Sequence, residues 1–355
     1  VIPVSRRTSR LLAAALLSGL FTLTSCSTTP PGTIQGALTG IGSNAGQGAV
    51  SAWGLAWGSA VKGTSVSFSP DGSAAGLKAF EDGQAHFAIT SAPLPEREAA
   101  AVRGMCTDKG ALSLAAGVLP VGVAVKIKGV NDLVLDPRTL AAILRGEITR
   151  WNDSRLAELN PGIALPDLAI TVLVPEGPSD TVRPVNNYIS ERTGTDWDPE
   201  HEDRWPADVV GQSSSPPLAL ADKLDDTNGG LSILDGSIIG NRFTAAQLMF
   251  DGKPRRLQAS SVVDAVSTGD VEASSTSVVQ SLDGRSGYAL GTVIYLHVCR
   301  EYSEPALSRL GRSFSENVFG SDAQKNANAF AFVMSPSKKA ASEGLALIST
   351  IGDGQ

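Results

Sequence analysis

Hydroxyls at the starts of helices are the residues here whose placement could do chemistry. Ser43 and Asn44 stand in Thr-Gly-Ile-Gly-Ser-Asn-Ala-Gly-Gln-Gly (residues 39–48), between an expected strand over 33–39 and an expected helix from Gln47. Val50, Trp53, Leu55, Trp57 and Val61 recur beyond it at roughly helical spacing. Glycines in such a turn let the backbone approach a ligand, and N–H groups at a helix start attract an anion. Ser43 and Asn44 add polar side chains at the cap. A plain glycine turn with a Ser/Asn cap fits the same residues. The third glycine of the run, Gly46, comes one residue late for a dinucleotide-binding turn, and no Lys-Ser/Thr follows as in a P-loop.

Similar turns recur downstream. Residues 64–69 alternate as a strand and lead into Pro70-Asp-Gly-Ser-Ala-Ala-Gly76, where Ser73 precedes a helix carrying Leu77, Ala79 and Phe80. Residues 85–90 form a third short strand, ending in Ser91-Ala92-Pro93-Leu94. Residues 169–174 read as a strand entering Pro175-Glu-Gly-Pro-Ser-Asp-Thr181. A helix follows there, with Pro184 in its first turn and Val185, Tyr188 and Ile189 on one face. Alternating strands and helices favour an α/β sheet with ligands at the carboxyl ends of the strands.

The remaining chain supplies frame rather than chemistry. Residues 112–127 are nearly all apolar apart from Ser113, Gly117, Pro120, Gly122 and Lys126, as expected of a buried strand that leaves one sheet and enters another. Asp136-Pro137 starts a helix over 138–144, and Asn152 or Asp153 caps a shorter one to Leu159. Helices over 260–273 and 336–348 and a buried strand over 288–298 complete the reading. The polar loop 194–208 carries Asp196, Asp198, Glu200, His201, Glu202 and Asp203, but no calcium-loop spacing, so it reads as a solvated loop. His86, His201 and His297 fall in no catalytic motif, and no G-x-S-x-G turn is present; the chain is not expected to be an enzyme. No cofactor and no metal is expected.

The first residues read as an export signal. Arg6, Arg7 and Arg10 precede an apolar run over 11–23, too short to span a bilayer comfortably. Leu23-Thr24-Ser25-Cys26 resembles a bacterial lipoprotein signal, in which cleavage precedes a lipid-bearing cysteine. Val1 suggests a misread or missing initiator codon. We therefore expect a signal peptide over 1–25, a tether over 26–35, and an extracytoplasmic protein held to the membrane by lipid on Cys26. Loss of 1–25 takes away three arginines and no acid, moving the formal net charge from −7 to −10. That balance argues against a nucleic-acid partner or a polybasic membrane contact. Cys106 and Cys299 remain, in an oxidising compartment, either as a disulfide or as two separately buried thiols.

Residues 133–166, LVLDPRTLAAILRGEITRWNDSRLAELNPGIALP, resemble the substrate-binding lipoproteins of bacterial phosphate ABC importers, the PstS family. The shared pattern is Gly146-Glu-Ile, Trp151-Asn-Asp, 156–162 ending in Asn-Pro-Gly, and Leu165-Pro166. LTGIGS at Leu38, the Ser73 turn, HFAITSAPL at 86–94, NGGLSILD at Asn228 and the Asp251-Gly-Lys-Pro turn follow in the family's order, over roughly 36–335.

The resemblance implies an α/β, two-lobed periplasmic-binding-protein type 2 fold with two hinge crossovers, near 118–125 and 290–296. Lobe 1 would comprise 36–120 and 290–355, and lobe 2 would comprise 121–289. Phosphate or a related oxyanion would be captured between the lobes and passed to an ABC transporter permease. Carried over turn by turn, the ligand-binding set is Ser43, Asn44, Ser73, Ser91, Ser179 and Thr181, and Cys106 and Cys299 fall in lobe 1. The sequence also departs from the family. Asn44 replaces a phenylalanine, Ser91 an aspartate, Pro175 an arginine and Asp180 a glycine. The resemblance therefore implies weaker phosphate binding, with blunted discrimination from sulfate. A degenerate member acting as an accessory or protein-interaction lipoprotein is the alternative.

Overall fold

The computed structural model describes residues 34–194, 197, 202–240 and 242–352. The leader, Cys26 and most of the tether lie outside them, as do Asp196, Asp198, Glu200 and His201. Strand Gly36–Gly42 lies between Thr64–Ser69 and Phe87–Thr90, parallel to both. Parallel neighbours need crossovers, and helices Gln47–Ala60 and Ser73–Glu81 supply them. The first helix buries Val50, Trp53 and Trp57, but Leu55 is 72% exposed. Two residues from Trp53 is about 200° around a helix of 3.6 residues per turn, so Leu55 falls on the opposite face.

The element that joins the halves is Ala111–Lys126, buried to its penultimate residue. Up to Pro120 it pairs antiparallel with Gly291–Cys299, and from Val121 it pairs with Gly230–Asp235. Thr171–Pro175 and then Gln212–Ser214 extend the sheet on that far side. Two cores result. One gathers Leu38, Trp53, Phe87, Leu114, Leu296 and Phe314; the other gathers Leu140, Trp151, Val185, Ile233, Phe250 and Tyr288. The fold is α/β and two-lobed. The second crossover is the chain entering Gly291–Cys299: Leu290 belongs to one core and Ile294 to the other. Val121 N–H donates to Leu290 O at 3.0 Å and Tyr288 Oη to Val121 O at 2.8 Å, stitching the crossovers together.

The expected helix over 260–273 stops sooner. Helix Ala259–Thr268 gives way to strand Val271–Ala273. At Gly269 the chain runs so close to Ser281 that a Cβ would lie 1.9 Å from its carbonyl oxygen, and the path turns into the pairing of 271–273 with Ser277–Gln280. That second strand pairs with Ser113 and Leu114, and Val278 joins the first core. Part of the 121–289 span thus sits on the first lobe's sheet. Helices Pro305–Val318 and Ser321–Ala331 were not anticipated.

Cys106 and Cys299 form a disulfide, with Cα atoms 5.1 Å apart, among buried Phe80, Leu94 and Tyr302. The long resembling stretch is frame in the second lobe. Asp136 and Thr139 form a reciprocal cap on Pro137–Leu144, and Trp151 Nε1 donates to Gly229 O at 3.1 Å. Asn160 accepts from Val134 N–H at 2.7 Å and donates to Val134 O and Leu156 O, both at 2.9 Å.

Candidate functional site

Three strand ends bring Ser43, Ser73 and Ser91 together. Ser43 N–H donates to Ile89 O at 2.8 Å, extending the sheet by one residue, and its Oγ accepts from Ala45 N–H at 3.1 Å. Gly72 N–H donates to Gly42 O at 2.8 Å and adopts φ +97°, a conformation open to glycine. This sets Ser73 beside the first strand as the opening residue of its helix. Gly42 and Gly76 serve packing of backbone on backbone, while Gly48 and Gly72 line the cleft. A Cβ on Gly76 would lie 2.4 Å from Ile41 O, and one on Gly42 2.0 Å from Ile89 O. Ser91 N–H donates to Ser73 Oγ at 3.1 Å, and the two hydroxyl oxygens are 3.4 Å apart.

A buried pair braces the Ser91 turn. Thr90 Oγ1 donates its single proton to Ala92 O at 2.5 Å, so at 2.6 Å it accepts from His297 Nε2–H. Burial pushes the His297 pKa down to about 3, which keeps the ring neutral.

The facing loop starts where Thr171–Pro175 ends and helix Val182–Thr193 has yet to begin. Ser179 N–H donates to Asp203 O at 2.9 Å, and the Ser179 and Thr181 hydroxyls are 3.0 Å apart. Between them, Asp180 reaches the serines. Its Oδ2 accepts from Ser43 Oγ at 2.5 Å and its Oδ1 from Ser73 Oγ at 3.2 Å. Its backbone carbonyl accepts from Thr292 Oγ1, at the start of the second crossover strand, at 2.7 Å.

These groups sit at a cleft of about 1190 Å³, walled by Asn44, Ser73, Ser91, Ser179, Asp180 and Thr181. Ser43 is only 1% exposed and meets the cleft through Asp180. Asn44 is exposed on the wall. Asp71, Glu176, Asp203 and Asp235 add carboxylates to the same wall, against Arg183 and Arg204. Arg183 is engaged with Glu202. Burial pushes the Asp235 carboxyl up; it caps Ile238 N–H at 3.0 Å and accepts from Ser237 Oγ at 2.5 Å. Pro175, in the place where the resemblance expects arginine, also lines the wall.

Four participants escaped the sequence reading. Asp203 and Arg204 belong to the polar loop read as solvated; Asn186 Nδ2 holds that loop through Glu202 O at 3.0 Å and Arg204 O at 2.8 Å. Asp235 ends the NGGLSILD segment, a signal that could have been used. Thr292 had none, because only the fold brings it to Asp180. Among the described residues, no three His, Cys, Asp or Glu side chains converge as a metal-binding group.

A family model described as a PBP superfamily domain matches residues 27–323. The phosphate-binding protein PstS 3 of Mycobacterium leprae is 23% identical over 281 residues, covering 73% of this chain and 72% of its own. Phosphate-binding protein PstS 2 of Mycobacterium tuberculosis is 25% identical over 296 residues, covering 79% and 78%. Among solved structures, a putative phosphate ABC transporter substrate-binding protein with bound phosphate from Clostridium perfringens superposes with a TM-score of 0.59. It is 16% identical, and the match covers 84% of this chain and 99% of that one. These relatives are described as binding or transport proteins, not as enzymes. With the two-lobed fold and a cleft at the strand ends, the match over most of its length places this chain in the PBP superfamily, as a substrate-binding protein of the PstS-like kind.

Proposed function

We propose that the mature protein is an extracytoplasmic solute-binding lipoprotein. In this reading it captures phosphate or a related oxyanion in the cleft and hands it to an ABC transporter permease. The observation that carries it is the convergence of Ser43 and Ser73 on the two oxygens of one carboxylate, a donor arrangement suited to an anion. The start of helix Ser73–Glu81 adds N–H groups that have no carbonyl partner within the helix. The proposed ligand set is Ser73, Ser91, Ser179, Thr181 and Asn44 on the wall, with Ser43 behind Asp180. Lobe 1 (36–120 and 290–355) and lobe 2 (121–289) would close on the ligand, apart from 271–280, which pairs with lobe 1.

Calorimetric titration of the purified mature protein with phosphate and then sulfate tests the ligand. Weak binding, poorly discriminated between the two, is expected. Tight phosphate binding that ignores sulfate would show that the loops have been matched wrongly. Lipid attachment at Cys26 rests on the Leu-Thr-Ser-Cys sequence alone; Cys26→Ala is expected to release the protein from membranes on fractionation, and unchanged retention rules the anchor out.

One observation favours a second reading. Neither Pro175 nor Ser91 supplies the charge that the family pattern has at these places, and Asp180 brings a negative one. An accessory lipoprotein that binds no small anion would show no heat with either salt.

A further inference from the structure

We propose that Asp180 is a built-in competitor for the oxyanion seat. Its carboxylate latches the facing loop onto the serine side, and it sets the strength with which any tetrahedral oxyanion is held. The inference rests on the reading of the cleft as an oxyanion site and adds what controls that site.

The geometry is that of an internal ligand. A carboxylate offers two oxygens bearing one shared charge, and here each takes a separate hydroxyl: Oδ2 from Ser43 at 2.5 Å, Oδ1 from Ser73 at 3.2 Å. Hydrogen bonds to a charged acceptor are the stronger kind. Ser91 joins the same group through its N–H on Ser73 Oγ. The serines come from the ends of strands Gly36–Gly42 and Phe87–Thr90 and the start of helix Ser73–Glu81, whereas Asp180 comes from the opposite lobe. The contact is therefore a tie between lobes made at the ligand's own place. Thr292 fixes the backbone of Asp180 at its carbonyl oxygen, so presenting the carboxylate takes little further ordering.

Competition follows from tethering. A group attached to the same chain acts at an effective concentration of millimolar order when its tether reaches, and a pinned one is better placed still. A free oxyanion must displace it, and its apparent affinity falls by the fraction of molecules in which the seat is open. With Glu202 holding Arg183, that guanidinium is not set to offset the extra charge. Glycine at this position, the family pattern, has no side chain with which to compete.

The test uses the mature protein and two variants, Asp180→Gly and Asp180→Asn, with two readouts. The first is amide hydrogen exchange without ligand, across 73–77 and 91–94. Loss of the carboxylate is expected to speed exchange there in Asp180→Gly, and less in Asp180→Asn, whose amide oxygen can still accept from Ser43. The second is calorimetric titration with inorganic phosphate. Asp180→Gly is expected to bind at least about tenfold tighter than the natural sequence, roughly the worth of one hydrogen bond to a charged group.

The two readouts separate the claims. Unchanged exchange in both variants overturns the latch, whatever phosphate does. Faster exchange with an unchanged phosphate affinity overturns the competition. Faster exchange with no phosphate binding by any of the three proteins keeps the latch and removes the oxyanion reading on which the competitor role rests. Faster exchange with tighter binding supports the whole proposal. Circular dichroism on both variants checks that each folds.

Discussion

The two sides of the cleft are built in opposite ways. On the first lobe, Ser43 and Ser91 are almost wholly buried, and the sheet, a helix start and the Thr90–His297 pair fix the Ser73 and Ser91 turns. On the second lobe, Glu176, Gly177 and Pro178 are exposed, and the loop is held by scattered bonds to Ser214, Asp203 and Thr292 and by the Asp180 carboxylate on Ser43 and Ser73. The rigid side offers neutral donors beside Asp71; the looser side carries Glu176, Asp180, Asp203 and Asp235. Hydroxyls and N–H groups arranged in advance favour anions in general, while on the proposed reading the Asp180 carboxylate competes for them. If Asp180 competes as proposed, specificity in this cleft is set on the looser side.

The largest expected effect comes from loosening the rigid side. The disulfide joins Cys106 to Cys299 across a sequence separation of 193. The chain-entropy model gives at most about 5 kcal/mol for a loop of that length. The double variant Cys106→Ala, Cys299→Ala should lose several kcal/mol in denaturant unfolding, with faster amide exchange on the first lobe than on the second. A loss below about 1 kcal/mol would mean that the serine side owes its order to packing alone.

Next comes acid. The His297 pKa is lowered to about 3 in the folded protein, against roughly 6.5 when exposed. Between those values the unfolded chain binds more protons, so stability falls as pH falls from about 6.5 toward 3, by up to about 1.4 kcal/mol per unit. Burial lowers the His86 pKa too, outweighing the nearby Glu304, and adds to the same trend. His297→Gln keeps an N–H for Thr90 and should flatten the slope. An unchanged slope would assign the acid sensitivity to other groups.

What the sequence made legible divides along the same line. The long buried strand, the capped helix at Asp136 and the placing of Ser43, Ser73 and Ser91 at strand ends follow from local patterns (apolar runs, Asp-Pro starts, glycine turns); that the three turns share one cleft was implied by the resemblance. Trp151 and Asn160 carried the resemblance because they bond backbone within the second lobe, a demand that persists whatever the cleft holds. The role of Asp180 was not legible. Its substitution for glycine was visible, but repulsion of a ligand and occupation of the ligand's place differ only by a side-chain direction that Thr292 and the crossover strand fix. Leu55 shows a smaller failure of the same kind, since an apolar residue near a helical stripe reads as part of it.

A frame variant on the second lobe gives the control for the comparison. Asn160→Ala leaves the half-buried Val134 N–H without its acceptor and the buried Leu156 O without its donor, which should cost about 1–3 kcal/mol. Since Asn160 does not line the cleft, phosphate titration should be unchanged once the protein is folded. A change in affinity larger than about twofold, a few tenths of a kcal/mol, would show that the looser side is coupled through its whole lobe rather than through its loop.

The smallest expected effect is the most discriminating. Thr292→Val removes one hydroxyl, nearly preserving shape, from the bond to the Asp180 carbonyl, and should cost about 1 kcal/mol of stability. If the latch depends on the carboxylate alone, exchange over 73–77 stays as in the natural protein, because Ser43 and Ser73 still hold Oδ2 and Oδ1. If it depends on a pinned backbone, exchange there rises part of the way toward that of Asp180→Gly, and phosphate affinity rises with it. We expect the second outcome. Asp180 sits in a loop with three exposed residues just before Ser179, and without the hinge strand at its carbonyl, ordering the side chain would cost more conformational entropy. Unchanged exchange in Thr292→Val would place the whole control of the cleft in two hydroxyl contacts and remove the hinge from it.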